Sequence, residues 1–385
     1  MDRRSSPSNT SDTLRIAVVL PSPDIFRETF ITEHVQRLPR VVLVMVDGNL
    51  PRRLSTGERF MRSSVIGRGV DLLQAMLLMT DQVGLHQRRI AQRLRRAGVN
   101  VVLAEYGNTA DAMIASCLRA NVPLVAHFHG FDAHRTDILE RFHHYRRLFD
   151  HAASIVAVSR AMEHHLVDIG APRDKVVLNC CGVDTERFRG GAPENAPPHF
   201  ISIGRFVEKK APQLVLAAFR LVVEQRPQAR LTMVGDGPLR ESCIQLVKDQ
   251  GMTGQVDLVG VRSSMEISAL LRGARGFVQH SVRAANGDSE GTPVSVLEAM
   301  ASGVPVVATR HAGIMDVVKH EECGLLSEEH DVRTMADHLI RLVDDPALAG
   351  RLGRAGRTFV EEHHRVQDSI ATLHHILERA AARSR

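Results

Sequence analysis

Short β-branched runs that alternate with longer amphipathic stretches constrain this chain more than any other feature of its sequence. RIAVVL begins at Arg15, VVLVMV at Val41, VNVVLAEY at Val99, VPLVAHF at Val122 and SIVAV at Ser154, each followed by residues with helical spacing. Runs apolar on both faces suit strands buried in a parallel sheet, with the intervening helices as crossovers. From Arg189 to His199 the chain reads RGGAPENAPPH, too rich in Gly and Pro for either element. A second series follows: HFISIG from His199, ARLTMVG from Ala229, VDLVG from Val256, RGFVQHS from Arg275 and VPVVAT from Val304. The expected fold is α/β, with two Rossmann-like doubly wound domains facing across a cleft and ligands at the C-terminal ends of strands. The expected boundaries are a disordered tail over 1–13, an N-terminal domain over 14–188, a linker over 189–199 and a C-terminal domain over 200–365. A basic helix over 366–385 is expected to pack back on the first domain.

Composition excludes several classes. The 385 residues, 44% apolar and 24% charged, are enough for two ordinary domains. The formal charge of +5 is dilute over this length, and with no Trp and two Tyr there are few platforms for stacking bases, so no nucleic-acid partner is expected. Cys117, Cys180, Cys181, Cys243 and Cys323 are odd in number and form no Cys-x-x-Cys pair, which fits a reduced set rather than a disulfide frame or a structural zinc site. The apolar runs are strand-length and the first residues are polar, so a cytoplasmic location is expected, with any membrane contact peripheral on the inner face.

Chemistry-bearing residues cluster after the strand-like runs. In DSEGTPVSVLEAMASGVPVVAT (288–309), Gly291 permits a close turn, Thr292 is a good N-cap and Pro293 a favoured first helical residue. The free amides of such a start bind anions. Glu298 interrupts an apolar helical run, where an unpaired buried carboxylate is costly, so a partner or a ligand must hydrogen-bond it. Glu290, eight residues earlier, could grip another part of one elongated ligand; pairing of both acids to core Arg or Lys is the plainer alternative. Gly204 and Arg205 directly follow a strand, and Lys209 and Lys210 sit in the loop beyond. Such cations suit a diphosphate, although a solvated loop residue is the usual reading for Lys209. Gly235 and Gly237 mark another strand-to-helix turn.

In the first domain HFHGFDAH places His127, His129, Asp132 and His134 at a strand end. His129 is expected to reach into the cleft as a donor and Asp132 to orient a substrate hydroxyl. A His-x-His pair can bind metal, but no third ligand is evident, so none is expected. Asn108, in YGNT, is an acceptor contact or a helix cap. HQRRIAQRLRRAG carries Arg88, Arg89, Arg93, Arg95 and Arg96 opposite Leu85, Ile90 and Leu94. These arginines are either a solvated helix face or an attraction to anionic lipid.

In order and spacing these motifs resemble the retaining glycosyltransferases of GT-B fold known as family 4, or glycosyl transferases group 1. The signature Glu-x7-Glu is met by Glu290 and Glu298; VAVSRAM, the Gly-Val-Asp-x-x-x-Phe run from Gly182, GRFVEKK and GDGPLR also match. The first loop, PSPDIFRETFITEH, lacks the Gly-Gly pair of many members. It is similar instead to the Ser-Glu-Thr-Phe-Ile type of bacterial exopolysaccharide and colanic-acid-type enzymes, with Arg27 in the Ser place. The resemblance implies a UDP- or GDP-sugar donor held by Gly204, Arg205, Lys210, Gly235, Gly237, Glu290, Gly291, Thr292 and Glu298. Glu298 would bind the ribose, Glu290 the donor sugar, and Arg205 and Lys210 the diphosphate, with His129 near the transferred sugar. His129, Glu290, Arg205 and Lys210 are thus the implied catalytic set. Arg27, Thr29, Asn108 and Asp132 would face a glycan or polyprenyl-diphosphate-linked acceptor. No Asp-x-Asp occurs, so no metal and no other cofactor is expected. A nucleotide-sugar epimerase and a noncatalytic partner of the same fold are the alternatives. A dinucleotide oxidoreductase is disfavoured because no Gly-x-Gly-x-x-Gly follows the first strand.

Overall fold

The computed structural model describes residues 14–22 and 29–383. The expected tail over 1–13 and Arg27 lie outside the described residues, and of Thr29 only the backbone is described, as the first residue of the helix Thr29–Arg37. The first series of apolar runs forms β1 (Ile16–Val19), β2 (Val41–Val46), β3 (Arg53–Leu54), β4 (Val101–Glu105), β5 (Leu124–His127), β6 (Ser154–Ala157) and β7 (Val176–Leu178). They pair in the order β3-β2-β1-β4-β5-β6-β7, parallel except for the short β2–β3 edge. The second series forms β8 (His199–Ile203), β9 (Arg230–Val234), β10 (Val256–Gly260), β11 (Gly276–Gln279), β12 (Val306–Thr309) and β13 (Gly324–Ser327). Their order is β10-β9-β8-β11-β12-β13, all parallel. These are two Rossmann-like sheets, and the winding direction reverses beside β1 and beside β8, where such sheets open a crevice at their C-terminal ends.

Strands β1, β4, β5 and β6 are buried at every residue, which is why their sequences show no polar alternation. Three strands escaped the sequence reading: β3 and β7 are two and three residues long, and GLLS of β13 is bounded by no strong turn signal. β8 begins at His199, one residue inside the expected linker.

The linker is fixed rather than loose. The buried guanidinium of Arg275 donates to the carbonyl oxygens of Pro193 and Ala196 on one side and of Leu342 and Val343 on the other. Five donors in a rigid fork make Arg suited to that task. The chain crosses between the domains a second time at His364–Val366, where Val183 N donates to His364 O at 2.9 Å and Val366 N to Val183 O at 3.0 Å. The terminal helix Val366–Ala382 then buries Val366, Ile370, Leu373, Ile376, Leu377 and Ala380. These side chains share one apolar core with Ile16, Val18, Leu103, Val125 and Val156 of the N-terminal sheet.

Candidate active site at the strand ends between the domains

The second domain's cations and carboxylates converge where β8, β11 and β12 end. Lys210, in the loop after β8, places Nζ 2.9 Å from Glu290 Oε1, and Ser281 Oγ donates to the same oxygen at 3.2 Å. Burial alone would raise the Glu290 pKa, but Lys210 and Lys209 bring it below the ordinary carboxylate value, so the group is ionised. Its backbone is held as well, by Glu290 N donating to His311 Nε2 at 3.2 Å while His311 Nδ1 donates to Glu329 Oε1 at 2.5 Å. Ser281 is fixed in turn through Thr309. His311, Ser281 and Thr309 were not singled out from sequence, because a lone His or Ser after a strand carries no local signal.

Lys209 is not the solvated cation that the sequence allowed. Its Nζ binds Asp288 Oδ1 at 3.0 Å and Ser289 O at 3.1 Å, pinning the loop that carries Glu290. Arg205 is exposed at the end of β8, and among the described residues no partner holds its guanidinium. Arg205 and Lys210 line one recess with Gly204, Phe206 and Gln279. Gly235 and Gly237 lie behind it and serve loop packing. A Cβ on either would run into the backbone of Gly204–Phe206, and both have positive φ, +137° and +155°.

Glu298 sits in the helix Val294–Ala301, buried, with no described side chain donating to its carboxyl group. Burial pushes its pKa up to about 8, against a weak opposing pull from Arg187. Pairing to a core Arg or Lys, the plainer alternative for both acids, occurs for Glu290 with Lys210 but not, among the described residues, for Glu298. The helix start also differs from the sequence reading. Pro293 stands at the N-cap and Thr292 caps nothing; its hydroxyl donates to Val158 O and accepts from Cys181 N, bonding the two domains to each other. Among the described residues the amides of Gly291 and Thr292 have no acceptor.

Across the cleft, the HFHGFD turn presses on this loop. A Cβ on Gly291 would collide with the His129 carbonyl oxygen, and one on Gly313 with the Gly291 carbonyl oxygen. Gly313→Ala is therefore expected to cost about 1–3 kcal/mol, as overpacking against backbone does. Calorimetry checks it: a lower melting temperature is expected, and an unchanged one would mean that this loop yields easily.

His129 does not reach into the cleft. Its Nε2 lies 2.6 Å from Oε2 of Glu105, at the end of β4, with its ring packed by Phe30 and Tyr106. Glu105 is fully buried and also accepts from His34 Nδ1 at 2.8 Å. Burial alone would raise the Glu105 pKa; His34, His127 and His129 bring it well below the ordinary value. Burial alone would depress the His129 pKa, but hydrogen bonding to Cys181 and Glu105 takes it up to about 10. The reason is the carboxylate: an ionised Glu with no water around it needs a cation, and His129 is the imidazolium within reach. His127, pushed down to about 3 mainly by burial, is neutral, with Nδ1 3.3 Å from Glu105 Oε2. His34, Glu105 and His127 bring three possible ligand atoms within 4.8 Å of one another. Of the His-x-His pair only His127 belongs to that group, and both Glu105 oxygens already accept from His34 and His129.

Asp132 is a structural acid rather than an acceptor contact. Its carboxylate takes the amides of Gly107 at 2.8 Å and of His129 and Gly130 at 3.0 Å each, fully buried inside the turn. Asn108 caps no helix; its Nδ2 donates to Asn49 Oδ1 at 2.9 Å, and its own Oδ1 is buried without a partner.

Comparison with known proteins matches this arrangement. The model for glycosyl transferases group 1 covers residues 183–359 and that for glycosyltransferase family 4 covers residues 81–187. The chain thus carries a glycosyl transferases group 1 domain and a family 4-type glycosyltransferase domain. It is 33% identical over 257 residues to an amylovoran biosynthesis glycosyltransferase of Erwinia amylovora, over 66% of this chain and 63% of that protein. It is 34% identical to a putative colanic acid biosynthesis glycosyltransferase of Escherichia coli, over 59% of this chain and 57% of that one. The matched segment thus spans less than two thirds of either relative's length. Among solved structures, an Anabaena protein crystallised with UDP superposes with TM-score 0.74 at 16% identity, over 94% of this chain and 99% of that one. A sucrose-phosphate synthase of Thermosynechococcus elongatus gives 0.75 at 17% identity, over 96% and 100%. At these identities the superpositions show a shared GT-B fold of two Rossmann-like domains.

Proposed function

We propose that this protein transfers a sugar, with retention and without a metal, from a UDP- or GDP-linked donor to a glycan or polyprenyl-diphosphate-linked acceptor in bacterial surface polysaccharide assembly. The observation that carries the reading is the unpaired, buried carboxyl of Glu298, one helix away from the ionised Glu290–Lys210 pair and the unpartnered Arg205. Ribose hydroxyls would supply the donors that Glu298 lacks. An ammonium has three N–H donors, so Lys210 can hold Glu290 and still face phosphate oxygens. Arg205 and the amides of Gly291 and Thr292 would complete the cradle. Bond cleavage builds negative charge on the departing diphosphate, and these fixed donors oppose it where water is excluded. Glu290 would accept from hydroxyls of the transferred sugar. The acceptor's proton would pass to the leaving phosphate oxygen on the same face, which gives retention. His129 is assigned no contact with the sugar, because its ring is engaged by Glu105.

Thermal shift in EDTA with UDP, GDP, ADP, CMP and NAD tests the donor site. One nucleoside diphosphate at about 100 times its Kd should add roughly 2.7 kcal/mol, and Glu298→Ala should lose most of that gain. The free carboxyl titrates near 8, and accepting hydroxyls favours its ionised form, so binding should release a proton below that pH. By calorimetry, affinity should therefore rise from pH 6 to 8 and level off above, while Glu298→Gln loses the carboxyl's share of that rise and keeps only the part due to the terminal phosphate, which titrates at about pH 6. Stabilisation by NAD alone, or by nothing, would remove the donor assignment.

A further inference from the structure

The helix Val65–Leu77 is built inside out. The residues it turns inward are Gly67, Asp71 and Ala75. The large apolar ones point away from the protein: Val65, Ile66, Leu72, Leu73, Met76 and Leu77, with Met79 just beyond, are all exposed, Ile66 at 84% and Met79 at 94%. This orientation is fixed and not a loose end. Asp71 is buried under the helix, where it accepts from Arg62 N and Nη1 at 2.9 Å each and from Arg89 Nη2 at 2.7 Å. Ser64 caps the first turn, its Oγ accepting from Gly67 N at 3.0 Å. A helix so anchored holds a continuous apolar face in water, and a patch of that kind marks a contact surface.

Charge around the helix identifies what it contacts. Between Arg52 and Arg96 there are ten arginines and three acids, Glu58, Asp71 and Asp81, whereas the whole chain carries only +5. Glu58 pairs with Arg93 at 2.9 Å and Asp71 with Arg62 and Arg89 at 2.9 and 2.7 Å, so among the described residues no acid pairs with the exposed Arg52, Arg59, Arg68 and Arg88. Arg52, Arg59 and Arg62 line a recess of about 400 Å³ with Asn49 and His86, and Asn49 leads on to Asn108 at the cleft. The arginine-rich helix Gln82–Arg96, which the sequence allowed as a solvated face or a lipid attraction, turns Arg89 inward and buries Leu85, Ile90 and Leu94. No helix among the described residues is long and apolar enough to cross a membrane.

We propose that the helix Val65–Leu77 and the turn to Met79 form a docking surface for an anionic lipid bilayer. Its apolar side chains enter the acyl boundary and the surrounding arginines meet acidic headgroups. This would hold the acceptor side of the cleft at the membrane surface. The inference stands apart from the donor-site reading, since vesicle binding and nucleotide binding are measured and can fail separately.

The full chain should cosediment with vesicles containing phosphatidylglycerol, weakly with pure phosphatidylcholine, and less as salt rises. Ile66→Glu with Leu73→Glu alters two exposed positions and should weaken binding at least about tenfold while leaving the UDP- or GDP-induced thermal shift unchanged. The chain has no tryptophan, so Met76→Trp gives a lone reporter, expected to shift to the blue with anionic vesicles and to be quenched by brominated lipid. No sedimentation of the wild type, an unaffected double variant or an unshifted tryptophan would each overturn the proposal. So would light scattering that shows a wild-type dimer made monomeric by the double variant, because the face would then join two copies of this chain.

Discussion

Lys210→Ala is expected to lower the turnover of sugar transfer by about 10²–10³, the loss typical when one fixed donor to a developing anion is removed. The substitution also leaves Glu290 with Ser281 as its remaining side-chain donor. Lys210→Arg keeps the charge but replaces a compact ammonium by a planar fork that cannot point at Glu290 and a phosphate in the same way, so only partial recovery is expected. The measurement is kcat and KM for the donor that stabilises the wild type, together with its hydrolysis in the absence of acceptor. A fall in kcat at nearly constant KM supports stabilisation of the leaving group. A rise in KM alone would mean that Lys210 binds the diphosphate equally in ground and transition states.

Glu105→Ala is expected to cost about 3–5 kcal/mol, because it strands the buried His129 and His34 without their acceptor. Glu105→Gln keeps the shape and separates charge from packing. The His129 pKa is raised from the ordinary 6.5 to about 10, so its stabilising contribution is fully present below pH 6.5 and is lost as pH rises through 10. Glu105 is shifted the other way, and its contribution is present above its ordinary 4.5 and lost in acid. His127, pushed down to about 3, must stay neutral, and it weakens the fold as pH falls below 6.5. Urea denaturation at pH 6 and pH 10 should show the wild type losing more stability on the alkaline side than Glu105→Gln does. Equal slopes would mean that His129 is neutral in the native protein and that Glu105 serves only packing.

The two predictions concern residues of very different legibility. Lys210 and Glu290 stand in contiguous motifs, GRFVEKK and the Glu-x7-Glu stretch, whose spacing already places them at strand ends. Glu105 lies at the end of an apolar run and His34 in an unremarked helix, 71 residues apart in sequence. Nothing local announces that they meet. The same holds for His311, which supports Glu290 from 21 residues away.

What the sequence determined by itself was local and periodic: the long strands, the crossover helices, the break before β8 and the glycines where backbones cross. Apolar patterning specifies these because burial follows the strand and helix repeats directly. Tertiary structure alone decided which polar groups find partners. It turned His129 from the cleft to Glu105, set Asp132 to holding backbone amides and left Glu298 without a donor. It also put the apolar side chains of Val65–Leu77 outward. The physical reason is that a hydrogen bond or an ion pair is made with whatever the fold brings within about 3 Å, and that distance is unrelated to separation along the chain.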